Sequence, residues 1–371
     1  MYRLGPSTSV EAAIDTLELF SIARLQLEYI HKSQSEKMKP LVLFGHTRPV
    51  SQVQFNEEGD LLFTSGRDSN MNVWDVETGE LLGTYDGHRG AVQGFDVTRD
   101  SQYLATGSAD GYIRIFAALT GELLVEHKLG AVVRCIEWAR DSLRLVTAND
   151  KWSAGEKIAH AVTIWTFDVE SKSITPVLRI TEALPMKAQQ VRWGPFDETL
   201  VSIHEDGSLF VWDTKTGDAL KEVRAHGNNK INKLRFSTDR KLAVTSSADH
   251  TAKLWQTAEW TLVRVYSADR PLNDAVVSPI YRGTPLKREH IIMGGGQEAR
   301  DVTTTGLQEG KFETLFYHLV QESELGKVKG HFGPLHTLSW SPNGKAFASG
   351  SEDGFVRLHK LDPDYVTRKW E

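Results

Sequence analysis

Several features of secreted proteins, membrane proteins and metalloenzymes are absent or scarce in this 371-residue chain. Its single cysteine, Cys135, excludes an intrachain disulfide and any metal site built from several cysteines. No Asn-x-Ser/Thr sequence occurs, and no apolar run approaches the ~18 residues that a membrane-spanning helix needs. These absences predict a cytosolic protein that makes no contact with a membrane.

The charge balance and the missing catalytic motifs exclude further classes of function. The net charge of −6 provides no basic field that could hold nucleic acid, so we expect direct RNA contact to be absent or peripheral. The chain has no Gly-x-Ser-x-Gly, His-Glu-x-x-His or phosphate-loop motif. Cys135 lies in the apolar-leaning run VVRCIEW, which favours a buried strand thiol over a nucleophile. We therefore expect no catalytic residue and no cofactor.

A self-similar unit fills most of the chain. Residues 45–75 open with Gly-His, close with Trp-Asp, and contain three strand-like runs separated by turn residues. The unit recurs from Gly87, and a period near forty residues with this signature is typical of a four-stranded propeller blade. The sequence predicts an all-β, seven-bladed WD40 propeller over residues 38–371, preceded by a helical extension over residues 1–37. In the WD40 family, which the repeat resembles, the N-terminal strand commonly completes the last blade. A strand over residues 41–44 is therefore expected to pair with the strands that end near Leu361, and this closure removes exposed sheet edges.

An aspartate stands six residues before the tryptophan position of five blades. The pairs are Asp68 and Trp74, Asp110 and Phe116, Asp206 and Trp212, Asp249 and Trp255, and Asp353 and His359. In the WD40 family this aspartate bonds the histidine of the Gly-His pair, which links through a strand hydroxyl to the tryptophan. The histidines are His46, His88, His226 and His331, and the hydroxyl of the first blade is Thr64 or Ser65. Because these groups repeat, we predict that they stabilise the blades and do not catalyse a reaction.

Three blades depart from the pattern. The third has Gly130 where Gly-His is expected and an insertion over residues 151–160, and the fourth has no Gly-His pair. The sixth contains GGGQEARDVTTT and GKFETLFYH where a short turn is expected. Gly294, Gly295 and Gly296 lack the frame of a phosphate-binding loop, and nothing in the spacing of Glu298, Asp301 and His318 makes them a metal site.

The segments of the sixth blade, with GKVKGHFGPL, SGSEDGFVRLH and DHTAKLW elsewhere, resemble the WD-repeat i subunit of eukaryotic translation initiation factor three. The resemblance covers residues 38 to about 365. It implies a non-catalytic scaffold that supports assembly on the small ribosomal subunit and mRNA recruitment. It also implies binding to the b and g subunits of that factor. An adaptor in another assembly, such as a signalling scaffold or a ubiquitin-ligase substrate receptor, is the alternative, and an enzyme is the third hypothesis.

Residues 1–37 lie outside the resemblance. Thr8 and Glu11 form a capping box at the start of a run without glycine or proline, which predicts a helix over residues 10–32. Three roles stay open for this segment. It packs on the propeller or is disordered alone, it binds a partner, or it is an inert extension upstream of a natural start at Met38.

The resemblance places the binding surface for a helix of the b subunit around blades five and six. An amphipathic helix needs apolar anchors and a polar rim. Leu254 is expected in the core between blades, and Asp249 belongs to a blade network. Trp260, Asp269 and Arg270 are therefore the residues predicted to bind the partner.

Overall fold

A computed structural model describes residues 40–151, 158–181, 184, 186–279, 290–296 and 311–362. These residues form seven four-stranded antiparallel sheets, each of which is one blade of a propeller. The prediction of a seven-bladed all-β propeller is thus confirmed. The predicted helix over residues 10–32 lies outside the described residues and stays a prediction.

Each blade is built from an inner strand, two middle strands and an outer strand. The inner strands are β2 (Val50–Phe55), β6 (Val92–Val97), β10 (Val133–Trp138), β14 (Ala188–Trp193), β18 (Ile231–Phe236), β22 (Leu272–Val277) and β26 (Leu335–Trp340). The second strands are β3 (Leu61–Gly66), β7 (Tyr103–Ser108), β11 (Arg144–Asn149), β15 (Thr199–His204), β19 (Leu242–Ser247), β23 (His290–Gly295) and β27 (Ala346–Ser351).

The other half of each blade faces the perimeter of the ring. The third strands are β4 (Met71–Asp75), β8 (Tyr112–Ala117), β12 (Ala161–Asp168), β16 (Ser208–Asp213), β20 (Thr251–Gln256), β24 (Thr314–His318) and β28 (Val356–Lys360). The outer strands are β5 (Leu81–Tyr85), β9 (Leu123–Lys128), β13 (Ser173–Ile180), β17 (Ala219–Arg224), β21 (Thr261–Ser267), β25 (Glu324–Val328) and β1 (Leu41–Leu43). A 3-10 turn at Pro195–Asp197 joins β14 to β15.

The last blade closes the ring with strands from both ends of the propeller. β1 pairs antiparallel with β28, and Leu41, Val42 and Leu43 lie opposite Leu358, Arg357 and Val356. This pairing confirms the prediction of a closing strand. It gives β28 a hydrogen-bonded neighbour on each side, which removes an exposed edge from the sheet.

Apolar side chains fill the space between neighbouring blades, and one buried cluster lies at each of the seven junctions. Leu254 belongs to the cluster between blades five and six, as expected from the sequence. Cys135 is buried between blades three and four, and its sulfur lies 3.1 Å from the backbone nitrogen of Val191. Burial raises the pKa of this thiol to about 11, which agrees with a structural thiol.

Side chains of the inner strands also join neighbouring blades around the central channel. The carboxylate of Asp96 accepts a hydrogen bond from the Trp138 backbone N–H at 2.7 Å, and Glu137 accepts one from Trp193 at 2.6 Å. Asp274 accepts the Leu338 N–H at 2.9 Å. Each bond fixes the strand of one blade against the next, so the ring is held at its centre by polar contacts as well as by its apolar junctions.

Every inner strand contains a β-bulge near its start. Each shift in pairing register leaves one extra residue in the strand, and the extra residues are Ser51, Gln93, Arg134, Gln189, Asn232, Asn273 and His336. A bulge bends its strand and changes the direction of a side chain. We call the side of the ring where the inner strands begin the front face, and the side where they end the back face.

Candidate functional site

The network of the first blade joins three elements through one hydroxyl group. Nδ1 of His46 lies 3.1 Å from the Asp68 carboxylate, and Nε2 lies 2.9 Å from Oγ1 of Thr64. The Trp74 indole N–H donates to the same Thr64 oxygen at 2.9 Å. The hydroxyl is therefore that of Thr64, and Nδ1 of His46 donates to Asp68, because a carboxylate oxygen can only accept.

The histidine, carboxylate and hydroxyl of this arrangement recur in the second, fifth and seventh blades, and the tryptophan recurs in the fifth alone of these three. The histidine-to-carboxylate distances are 3.0 Å for His88 and Asp110, 2.8 Å for His226 and Asp249, and 3.0 Å for His331 and Asp353. The hydroxyl partners of these histidines are Thr106, Thr245 and Ser349, at 2.8, 2.7 and 2.8 Å. Trp255 completes the network of the fifth blade by donating to Thr245 at 2.9 Å.

The electrostatics of the seventh blade's network favour a charged aspartate and a neutral histidine. Burial alone would raise the pKa of the Asp353 carboxyl. Hydrogen bonds from His331 and from the backbone N–H groups of Phe332 and Phe355 outweigh burial and hold this pKa well below its usual range. Burial lowers the pKa of His331, and the nearby Asp353 offsets this only in part. The neutral imidazole of His331 is thus a structural member of the network and not a proton carrier.

In the fourth blade a histidine from a different position bonds to the hydroxyl group that accepts from the tryptophan. Trp212 donates to Oγ of Ser202 at 2.8 Å, and Nε2 of His204 lies 2.9 Å from that oxygen. Asp206 instead contacts Ser208 and Arg224. His204 comes from β15 itself, so it replaces the missing histidine of a Gly-His pair. The repeat pattern does not predict this histidine, although Ser202 stands ten residues before Trp212, as Thr64 stands before Trp74.

The third and seventh blades retain only part of the network. Trp165 donates to Thr147 at 2.9 Å in the third blade, where the described residues contain no histidine partner for that hydroxyl. In the seventh blade His359 takes the tryptophan position and stacks on Phe347, with ring centroids 4.5 Å apart.

The three residues predicted to bind a partner are largely engaged within the propeller. Trp260 is only 6% exposed and packs edge-on against Phe236. Arg270 is 4% exposed, and its guanidinium pairs with Asp269 and Glu313, each at 2.8 Å. Trp260 and Arg270 thus each fill an interior position, and their role in binding a partner stays a prediction. Asp269 is partly exposed and also pairs with Lys311 at 2.5 Å.

The glycines of the sixth blade serve strand packing. A side chain on Gly295 would lie 2.0 Å from the Pro271 carbonyl oxygen, so only glycine permits this close approach. Of the three residues considered as a metal site, Glu298 and Asp301 lie outside the described residues. His318 ends β24, and its Nδ1 accepts backbone N–H bonds from Val320 and Gln321. Within the described part of the chain, no three side chains of histidine, cysteine, aspartate or glutamate are grouped to hold a metal ion.

Seven closed blades with repeated histidine–aspartate–hydroxyl networks define a WD-repeat β-propeller. The family model EIF3I matches residues 38–371. A "Eukaryotic translation initiation factor 3 subunit I" of Aspergillus oryzae is 41% identical over 335 residues, which cover 90% of this chain and 98% of that protein.

Relatives from animals have the same name. The Bombyx mori protein is 39% identical over 328 residues, covering 88% of this chain and 97% of its own, and the Nematostella vectensis protein is 39% identical over 337 residues, covering 90% and 100%. The chain belongs to the EIF3I family, which is a family of translation initiation factor subunits and not of enzymes. The described residues include no helix that is long and apolar enough to span a membrane.

Proposed function

We propose that this chain is a non-catalytic scaffold of the eukaryotic translation initiation factor 3 complex. It supports assembly of the initiation complex on the small ribosomal subunit and recruitment of mRNA. The observation that carries the proposal is the repeated blade network, which occupies the histidines and aspartates that could otherwise perform acid–base chemistry. A ring fixed in this way offers rigid surfaces for binding. Membership of the EIF3I family supports the proposal that the chain acts in this complex.

The direct partners that we propose are the b and g subunits of the complex, in the cytoplasm. The chain reaches the small ribosomal subunit through the complex. With a net charge of −6, it is not expected to hold RNA by itself, because phosphate binding depends on a surplus of lysine and arginine. Contact with RNA is therefore peripheral.

We place the contact with a helix of the b subunit on the perimeter of blades five and six. Val263 lies in a bulge of β21 and is 39% exposed, next to the exposed Leu262. Polar contacts border these apolar residues, since Arg264 pairs with Glu322 across the two blades at 3.2 Å. An apolar strand with charged neighbours suits the apolar face of an amphipathic helix. Trp260 and Arg270 support this surface from beneath.

The experiment compares two matched substitutions in affinity purification of the tagged chain. Val263→Glu places a charge on the proposed surface. Leu220→Glu places the same charge in the corresponding bulge of β17 in blade four, where Leu220 is 57% exposed. Both variants are expected to melt like the parent, because neither side chain is buried.

We expect the parent and Leu220→Glu to recover the b and g subunits, and Val263→Glu to bind the b subunit about tenfold more weakly. Equal recovery by both variants would move the interface away from β21. Recovery of ubiquitin-ligase or signalling proteins in place of initiation-factor subunits would refute the proposed assembly.

A further inference from the structure

The central channel widens at the front face into a cavity of about 210 Å³, which we call the funnel. Its wall consists mainly of the first residues of the seven inner strands. All seven of the extra residues that the β-bulges introduce line it. None of the seven is apolar or acidic. The bulges therefore present a ring of polar side chains at one opening of the channel.

The wall of the funnel is basic although the whole chain is acidic. Among the described residues that line it are Arg67, Arg134, Lys230, Lys233 and His336, together with six asparagine or glutamine side chains and no carboxylate. Carboxylates just outside the wall neutralise part of this charge. Arg134 pairs with Asp150, and Lys233 pairs with Asp274 at 3.4 Å. His336, whose pKa is lowered by burial, contacts Glu352.

Two of the cations, Arg67 and Lys230, can attract an anion into the funnel. Arg67 comes from the turn between β3 and β4, and Lys230 from the loop before β18, and both are exposed. Neither forms an ion pair with any part of the chain that the structure describes. Deeper in the funnel, burial lowers the pKa of Lys233 to about 8. Repulsion from Arg235 and Arg192 lowers this pKa further, whereas the attraction of Asp274 raises it. An anion in the funnel would relieve this repulsion.

The opening at the back face has a different character. Its cavity of about 310 Å³ is lined by arginines, but Glu57, Asp96 and Glu137 line it too. Asp96 and Glu137 lie close enough that their repulsion adds to burial and raises the pKa of Asp96 to about 6. Arg99 pairs with Glu57, and Arg192 and Arg240 pair with Glu137, so carboxylates of this wall neutralise part of its positive charge. Of the two openings, only the front one has cations and no carboxylate among its described lining residues.

We propose that the funnel binds an acidic peptide segment. A carboxylate or phosphate group of the segment lies among Arg67, Lys230 and Lys233, and the amide side chains of the wall pair with its backbone. The amide groups can donate and accept, as a peptide backbone requires.

A peptide suits the funnel better than a nucleic acid does. The cations form a small ring and not a stripe that could follow a phosphate backbone. No phenylalanine, tyrosine or tryptophan is found among the described lining residues to stack on a base. The site is separate from the perimeter of blades five and six, so it does not depend on how the b subunit binds.

Binding can be measured by fluorescence anisotropy on the full chain with four labelled probes. They are a peptide with three consecutive glutamates, the same peptide with phosphoserine at the middle position, a control with glutamines, and oligouridylate. The test variant is Arg67→Gln with Lys230→Gln. Its matched control is Lys215→Gln with Lys241→Gln, which removes the same charge from exposed turns at the back face.

We expect at least one of the acidic peptides to bind, and the glutamine peptide to bind much more weakly. The front-face variant should weaken binding about tenfold while the back-face variant binds like the parent. Tighter binding of the phosphoserine peptide identifies a phosphorylated segment, and equal or tighter binding of the glutamate peptide identifies an acidic one. The proposal is overturned if neither acidic peptide binds, if both double variants bind alike, or if oligouridylate binds most tightly.

Discussion

The stability of the propeller should depend on pH through His359, which occupies the tryptophan position of the seventh blade. Its ring is 3% exposed and stacks on Phe347, and Nδ1 has no hydrogen-bond partner among the residues that the structure describes. Burial, together with electrostatic repulsion from the neighbouring His331 and Arg357, lowers the pKa of His359 from 6.5 to about 3. The perturbation that we consider is His359→Phe. It keeps an aromatic ring at a position where the second blade already has Phe116.

The sign and size of the effect follow from proton binding. Below pH 6.5 the unfolded chain binds a proton at residue 359, whereas the folded chain does not until the pH approaches 3. The stabilisation is therefore complete above the unfolded pKa and is lost as the pH falls toward the folded pKa. Between about pH 7 and about pH 5.5 the free energy of unfolding of the parent should fall by about 1 kcal/mol more than that of His359→Phe. For a domain of this size the loss corresponds to about 2 °C in Tm.

Thermal unfolding followed by calorimetry at the two pH values measures this difference. Other buried histidines, such as His226 and His331, lower stability at acid pH in both proteins alike, so the comparison isolates residue 359. The reciprocal variant Phe116→His should acquire the additional pH dependence. Identical Tm shifts for the parent and His359→Phe would show that the folded protein does not hold this ring neutral, and the argument from burial would fail.

Two further predictions concern the blade networks and the closure of the ring. Asp353→Ala should destabilise the protein by about 1–3 kcal/mol, because His331 and two backbone N–H groups lose their acceptor. Asp206 has no histidine partner among the described residues, so Asp206→Ala should lower the free energy of unfolding by less in the same calorimetric measurement. Equal losses in the two variants would contradict the network. Deletion of residues 40–44 should make the protein far more sensitive to protease than deletion of residues 1–30, since only the former exposes the edge of β28. Equal resistance would argue against ring closure by β1.

The repeat pattern predicted most of the fold because its signals are local. The spacing from Asp68 to Trp74 spans one turn and one strand, and the sequence contains both. Ring closure could be predicted because WD40 propellers commonly complete their last blade with the N-terminal strand. The network of the fourth blade was missed, since His204 enters from a strand and not from the loop that normally supplies the histidine.

Other features depend on contacts between distant residues. Trp260 lies in a turn next to an outer strand, where we expected an exposed aromatic side chain. Its ring instead packs on Phe236 of the inner strand. Arg270 meets Glu313 and the Lys311 carbonyl oxygen, which are more than forty residues away. The funnel could not be predicted either. It arises from seven bulges, and a bulge is a property of strand pairing that alternating side chains do not reveal.

The pairing of β1 with β28 has a consequence for the order of folding. Leu41 is translated before any blade exists, and its partner Leu358 follows only after all other blades have been synthesised. A growing chain can therefore complete six sheets one after another, each from consecutive strands, while the first strand waits without a partner. Because contacts between such distant residues form late, closure should be the last step of folding. A nascent chain halted before β28 would hold most of its blades but remain an open arc, with one strand edge exposed to chaperones.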